Sequence, residues 1–177
     1  MKWFFSRVFF LFLFTSHSLF STELPWFNGE NLTGSFVQEK HLAALSRPFV
    51  TKGQYIYTVE YGLIWHTLKP VDNKLIINQQ GISEAQADGS LKILTSDTSF
   101  SALLLPIFSA DPQSIKEHFN ILESDNGITL TPINPQISSL IQNLDLVISD
   151  QALQQITLNE TNGNLTHIFL QAETTKP

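Results

Sequence analysis

Beyond residue 30 the chain alternates hydrophobic and polar residues in short runs set between turn-forming residues. A period of two is the pattern of a β-strand whose two faces meet different surroundings. It predicts strands at Gly34–Leu42, Gly53–Val59, Leu63–Leu68, Leu75–Asn78 and Leu91–Leu94, and again at Phe119–Glu123, Ile128–Thr131, Leu144–Ser149, Leu153–Asn159 and Thr166–Ala172. Asp72-Asn73, Asp88-Gly89, Asp125-Asn126-Gly127 and Asn162-Gly163-Asn164 supply turns between them. Two segments depart from this pattern. Ser96–Phe108 is dense in Leu and Phe and opens on capping residues, which predicts a short helix near Thr98–Leu105, ended or kinked by Pro106. Asp111-Pro112 reads as a cap followed by proline at the first helical position, with a second helix running to about His118. Ile137, Leu140, Ile141 and Leu144 also share helical spacing. The run Leu146-Val147-Ile148 follows so closely that a strand from about Ser139 is the preferred reading.

The expected fold is mainly β with a few short helices: one curled antiparallel sheet of about ten strands, since an open sheet of that size must curl. In Tyr61–Pro70, YGLIWHTLKP, Leu63, Trp65 and Thr67 point one way and Ile64, His66 and Leu68 the other. Apolar groups therefore lie on both faces, as expected of a curled sheet with something inside it and something packed outside.

The first residues have a different character. Lys2 and Arg7 form a basic front, Val8–Phe14 is an unbroken apolar run of seven, and small residues follow around Ser16, Ser18 and Ser21. This is the layout of a secretory signal, and the run is short of the ~20 apolar residues a membrane-spanning helix needs. Residues 1–21 are therefore assigned to a leader and 22–177 to a single domain, expected to be soluble in a bacterial periplasm. Without Lys2 and Arg7, eight basic residues face sixteen acidic ones, a net charge of −8. That argues against a nucleic-acid partner, whose phosphates need cations to meet them. No cysteine occurs, so the chain offers neither a disulfide framework nor a thiol for a lipid anchor.

Enzymatic patterns are missing from the sequence. His41, His66, His118 and His167 have no metal-ligand spacing among them, and no nucleophile elbow, phosphate loop or zinc-protease motif is present. No catalytic residue, metal or cofactor is expected. The remaining signal is aromatic and aliphatic. Tyr55 and Tyr57 share one strand face, Leu63 and Trp65 another, Leu75 and Ile77 a third, and the helical segment adds Phe100, Leu103, Leu104 and Phe108. These residues either fill an ordinary core or line a hollow kept for an acyl chain.

The order of several short motifs resembles the periplasmic outer-membrane lipoprotein carrier (LolA) family. Gly34-Ser35-Phe36-Val37-Gln38 is similar to its G/A-S-F-x-Q opening strand, and Lys52-Gly53-Gln54-Tyr55 to the strand that follows. Gly62–Pro70 resembles its L-x-W-x-x-x-x-P segment, followed by the apolar Leu75-Ile76-Ile77. Leu130-Thr131-Pro132 and Asn162–Thr166 resemble its L-x-P and D/N-G-x-x-T elements. The resemblance implies an incomplete β-barrel covered by helices. It implies a monomeric, non-enzymatic shuttle that takes acyl chains of a lipoprotein or lipid from an inner-membrane exporter to an outer-membrane acceptor. The resemblance places Leu63 and Trp65 at the family's cavity positions, and with them Phe36, Tyr55, Tyr57, Leu75, Ile77, Phe100, Leu104 and Phe108 are expected to face the lipid. Family carriers often place an arginine shortly before the Trp to hold the empty cavity closed, whereas this chain has Thr58-Val59-Glu60-Tyr61 there and its Arg47 lies far upstream. The family's N-terminal helix is expected to be shortened or missing. These departures predict weaker closure, and leave open a glycolipid or other acylated product as cargo, or an interaction module with a filled core.

Overall fold

The computed structural model describes residues 31–124 and 127–173. The leader, most of the lead-in to the first strand, the expectation about an N-terminal helix, and Asp125-Asn126 of one expected turn lie outside the described residues.

Strand β1 (Asn31–His41) is followed by β2 (Phe49–Thr58), β3 (Gly62–Lys69), β4 (Asn73–Asn78), β5 (Gly81–Ala85) and β6 (Leu91–Thr95). Helices α1 (Ser99–Ser109) and α2 (Pro112–His118) come next. The chain then forms β7 (Phe119–Ser124), β8 (Gly127–Pro132), the one-turn helix α3 (Pro135–Ser138), β9 (Ile141–Ser149), β10 (Ala152–Glu160) and β11 (Leu165–Ala172). All eleven strands make one antiparallel sheet in the order β6-β5-β4-β3-β2-β1-β11-β10-β9-β8-β7. Each half is a meander, and the halves meet where β1 pairs with β11, from Gly34 opposite Ala172 to His41 opposite Leu165. The two edges, β6 and β7, do not pair, so the sheet is an unclosed barrel. The chain between those edges is the helical segment, which therefore lies at the opening.

Alternation holds strand by strand. In β2, Gly53, Tyr55 and Tyr57 are buried while Lys52, Gln54 and Ile56 are exposed; in β10 and β11, Ile156, Leu158, Thr166, Ile168 and Leu170 are buried. These inward residues join Leu63, Ile77, Leu130, Leu144 and Leu146 in a single core with Leu103, Leu104, Ile107 and Phe108 of α1. Leu63, the apolar neighbour of Trp65, is wholly buried, while Ile64 on the convex face is half-buried and Leu68 is exposed.

Helix α1 carries no charged residue and is buried over most of its circumference, at Ser101, Leu103, Leu104, Pro106, Ile107 and Phe108. A helix apolar all round belongs in an interior. Here it sits in the concavity of the sheet, touching β2 to β5. It runs through Pro106 to Ser109, beyond the expected stop. Proline removes one helical hydrogen bond, but stopping there would take Ile107 and Phe108 out of the core they fill. Asp111 caps α2 as the sequence indicates, its carboxylate accepting from the backbone N–H groups of Gln113 at 3.1 Å and Ser114 at 3.2 Å. Two expectations are corrected. Gly81–Ala85 forms a strand that a pentapeptide with Ile82 as its one large apolar residue did not reveal. The stretch before β9 holds α3, capped by Asn134, so β9 begins at Ile141 instead of Ser139. None of the helices among the described residues is long and apolar enough to cross a membrane.

Candidate functional site

The site begins with two glycines. Gly34 lies opposite Tyr55 and Gly53 opposite Phe36 in the β1–β2 register. A Cβ on Gly34 would come within 2.7 Å of the Tyr55 ring, and one on Gly53 within 2.8 Å of the Phe36 ring. Each aromatic ring thus lies over the glycine of the neighbouring strand, an exchange that flattens two bulky side chains against the sheet. Trp65, opposite Tyr55 on β3, stacks on Phe36 with ring centroids 3.8 Å apart and planes 22° apart. Phe108 of α1 closes the group with its edge toward Tyr55 at 5.6 Å and Trp65 at 6.3 Å. Offset and edge-on rings at such distances add to what their burial alone contributes. Burial raises the pKa of the Tyr55 phenol, and the charge of Glu173 adds to the shift.

Beside this cluster lies a cavity of about 350 Å³. Phe100, Leu104 and Phe108 face it from α1, four residues apart and so on one side of the helix. Trp65, Leu75, Ile77, Ile141, Leu158 and Ile168 face it from the sheet. Its wall runs across β4, β3, β2, β1, β11, β10 and β9, consecutive neighbours in the sheet. Phe100, 42% exposed, stands at the mouth. The volume is at the low end of the roughly 300–1,000 Å³ usual for small-molecule pockets, because α1 fills much of the concavity itself.

The residues singled out from the sequence divide into groups. Trp65, Leu75, Ile77, Phe100, Leu104 and Phe108 come together around the cavity. Phe36 lies against Trp65, and Tyr55 beside both Trp65 and Phe108, so both support the wall. Leu63 is solid core. Tyr57 faces a different space, a groove of about 490 Å³ shared with Glu60, Asn78, Gln80, Leu105 and Asp111. That groove is larger but half polar, a poor environment for an alkyl chain. Tyr57 is buried; burial raises its phenol pKa, the nearby Ser109 hydroxyl opposes the shift, and Asp111 reinforces it. A smaller space of about 80 Å³ lies behind Phe108, against Leu32, Leu153 and Leu170. The sequence reading missed the polar members of the main cavity: Gln38, Lys40, Thr51, Thr67, Glu160 and Thr166. Strand parity carried a signal for them, since Gln38 and Lys40 follow Phe36 at intervals of two.

An unclosed antiparallel sheet curled round an apolar helix, with a hollow left between them, defines the incomplete-barrel class of carrier fold. The family model described as "Outer membrane lipoprotein carrier protein LolA" matches residues 28–177, and the chain belongs to that family. The family is one of periplasmic carriers and not of enzymes, which gives this chain a carrier-like role. Among solved structures, a LolA superfamily protein from Nitrosomonas europaea is similar with a TM-score of 0.50 and 7% identity, over 86% of this chain and 90% of that one. A putative outer membrane lipoprotein-sorting protein domain from Vibrio parahaemolyticus aligns with a TM-score of 0.35 and 7% identity, over 86% of this chain and 89% of that one. The comparison with curated proteins found no match.

Proposed function

We propose that the protein takes an acyl chain of a lipoprotein or lipid into the cavity between α1 and the sheet, and carries it through the periplasm from an inner-membrane exporter to an outer-membrane acceptor. The observation that supports this reading is the apolar stripe Phe100, Leu104 and Phe108 facing Trp65, Leu75 and Ile77 across unfilled space. Folding leaves apolar surface there without protein to cover it. Each methylene buried contributes about 0.8 kcal/mol, so a sixteen-carbon chain gains on the order of 10 kcal/mol before ordering costs. That is enough to hold a chain without a catalytic group, and the ordering costs keep release possible. The size of the hollow favours one chain at a time.

The full chain, leader included, should be produced in a Gram-negative host, purified without strong detergent and analysed by native mass spectrometry. Wild-type protein is expected to carry an acyl species whose mass identifies the cargo as lipoprotein, glycolipid or free lipid. Leu75→Trp, which fills the cavity from a half-buried position, and Phe100→Asp, which puts a charge at the mouth, are each expected to cut loading at least about tenfold while circular dichroism stays unchanged; a charge desolvated by an alkyl chain costs that much or more. Empty wild-type protein, or equal loading of the Leu75→Trp variant, would overturn the reading.

A further inference from the structure

The cavity changes character along its length. On the concave side of β1 the residues run Phe36, Gln38, Lys40, and their partners on β11 run Leu170, Ile168, Thr166. The aromatic cluster is therefore at one end and a group of polar side chains at the other. At the polar end Lys40 Nζ lies 3.1 Å from Glu160 Oε1. The second oxygen of Glu160 accepts from the side-chain amides of Asn162 at 3.2 Å and Asn164 at 3.1 Å. The Glu160 side chain is only 15% exposed. Both its oxygens are occupied, so it serves as a fixed post that places the Lys40 ammonium at the cavity. An ammonium has three donors, and this contact uses one. Thr166 is buried in the same wall, with Thr51 nearby.

This end is polar but carries no net charge, because Glu160 balances Lys40. An anionic head brought to Lys40 would also meet the Glu160 carboxylate and lose there much of what it gains. A head with uncharged carbonyl and hydroxyl oxygens meets the free ammonium donors and the threonine hydroxyls without that opposition. We infer that the Lys40–Glu160 end is a headgroup subsite for an uncharged acyl ester, with the single alkyl chain lying toward Phe108. This inference rests on the acyl-chain reading of the cavity and adds to it the chemistry of the head.

The test uses delipidated full-length protein and a fluorescent fatty-acyl probe, displaced by monopalmitoylglycerol or by palmitate, both below their aggregation concentrations. Wild-type protein is expected to favour the glycerol ester about tenfold, the scale of one charge-assisted hydrogen bond. Glu160→Gln leaves Lys40 unbalanced and is expected to shift the preference to palmitate. Lys40→Met leaves the Glu160 carboxylate unbalanced and is expected to weaken the glycerol ester while keeping it ahead of palmitate, and still to bind the probe. Both variants are close in shape to the native residues, and unchanged urea midpoints would show that they fold. Equal displacement by the two lipids in all three proteins, or a palmitate preference in the wild type, overturns the headgroup subsite while leaving the cavity intact. Failure of the wild type to bind the probe at all overturns the cavity reading, and the subsite with it.

Discussion

At the scale of single residues, two glycines and one carboxylate govern the site. Gly53 gives up its side chain so that Phe36 can lie flat against Trp65. Gly53→Ala would drive a methyl group into the Phe36 ring and the His66 carbonyl. Overpacking of this kind typically costs about 1–3 kcal/mol, and the expected result is a lower urea midpoint together with altered Trp65 fluorescence. The sequence displays both glycines as motif residues, but not why they are there: each answers to a ring on the other strand, and only the β1–β2 register pairs them. Glu160 governs the polar end. Its burial raises the carboxyl pKa, but the Lys40 ammonium and the Asn164 and Asn162 amides more than offset this, and the pKa falls below its ordinary 4.5. A group depressed in the folded state contributes stability that is present above its unfolded pKa and lost as pH falls through the folded one. The Lys40–Glu160 contact is therefore expected to be intact at neutral pH and down to about pH 4.5, and to weaken below it. Calorimetric affinity for monopalmitoylglycerol, which has no titrating group, measured from pH 7 to pH 3, should change only in the acid part of that range.

At the scale of elements, α1 decides whether the hollow opens. The family's arginine does not precede Trp65 here, yet α1 is not loose. Ser101 Oγ donates to the Gly81 carbonyl at 3.4 Å near one end of the helix, and Ile107 and Phe108 are buried in the core near the other. Ser101→Ala removes that hydrogen bond and keeps a residue suited to the helix. It is expected to cost about 0.5–1.5 kcal/mol and to speed amide hydrogen exchange over residues 99–109 more than in the sheet. Acyl loading should change exchange in the same segment, and identical exchange with and without lipid would rule out movement of α1 as the route of entry. Alternating strands such as β2 and β10 were legible in the sequence because one face is wet and the other dry. The β5 strand was not, because its outward and inward residues are alike in polarity and its pairing with β4 comes from the sheet. Pro106 misled for a related reason: a local rule about hydrogen bonds predicts a stop, and the burial of Ile107 and Phe108 outweighs it.

At the scale of the whole molecule, the β1–β11 joint places the first and last strands at the middle of the sheet and leaves β6 and β7 as free edges. No local pattern in the sequence records that long-range pairing, so neither the unclosed seam nor the seven-strand wall of the cavity could be read from it strand by strand. The same topology limits what the protein can carry. With β6 and β7 unpaired and α1 inside the curve, the hollow is bounded by a sheet on one side and a single helix on the other. While α1 stays in place the space is fixed at about 350 Å³. Affinity for a series of saturated monoacylglycerols is then expected to rise by about 0.8 kcal/mol per methylene while the added carbons are buried. It should level off once the tail fills the apolar end at Phe108 and further carbons can no longer be buried. Calorimetric titration across the series checks this. A plateau within the range of common membrane acyl chains fits a rigid hollow, whereas an unbroken rise means that α1 swings out of the unclosed seam and the sheet as a whole receives the chain.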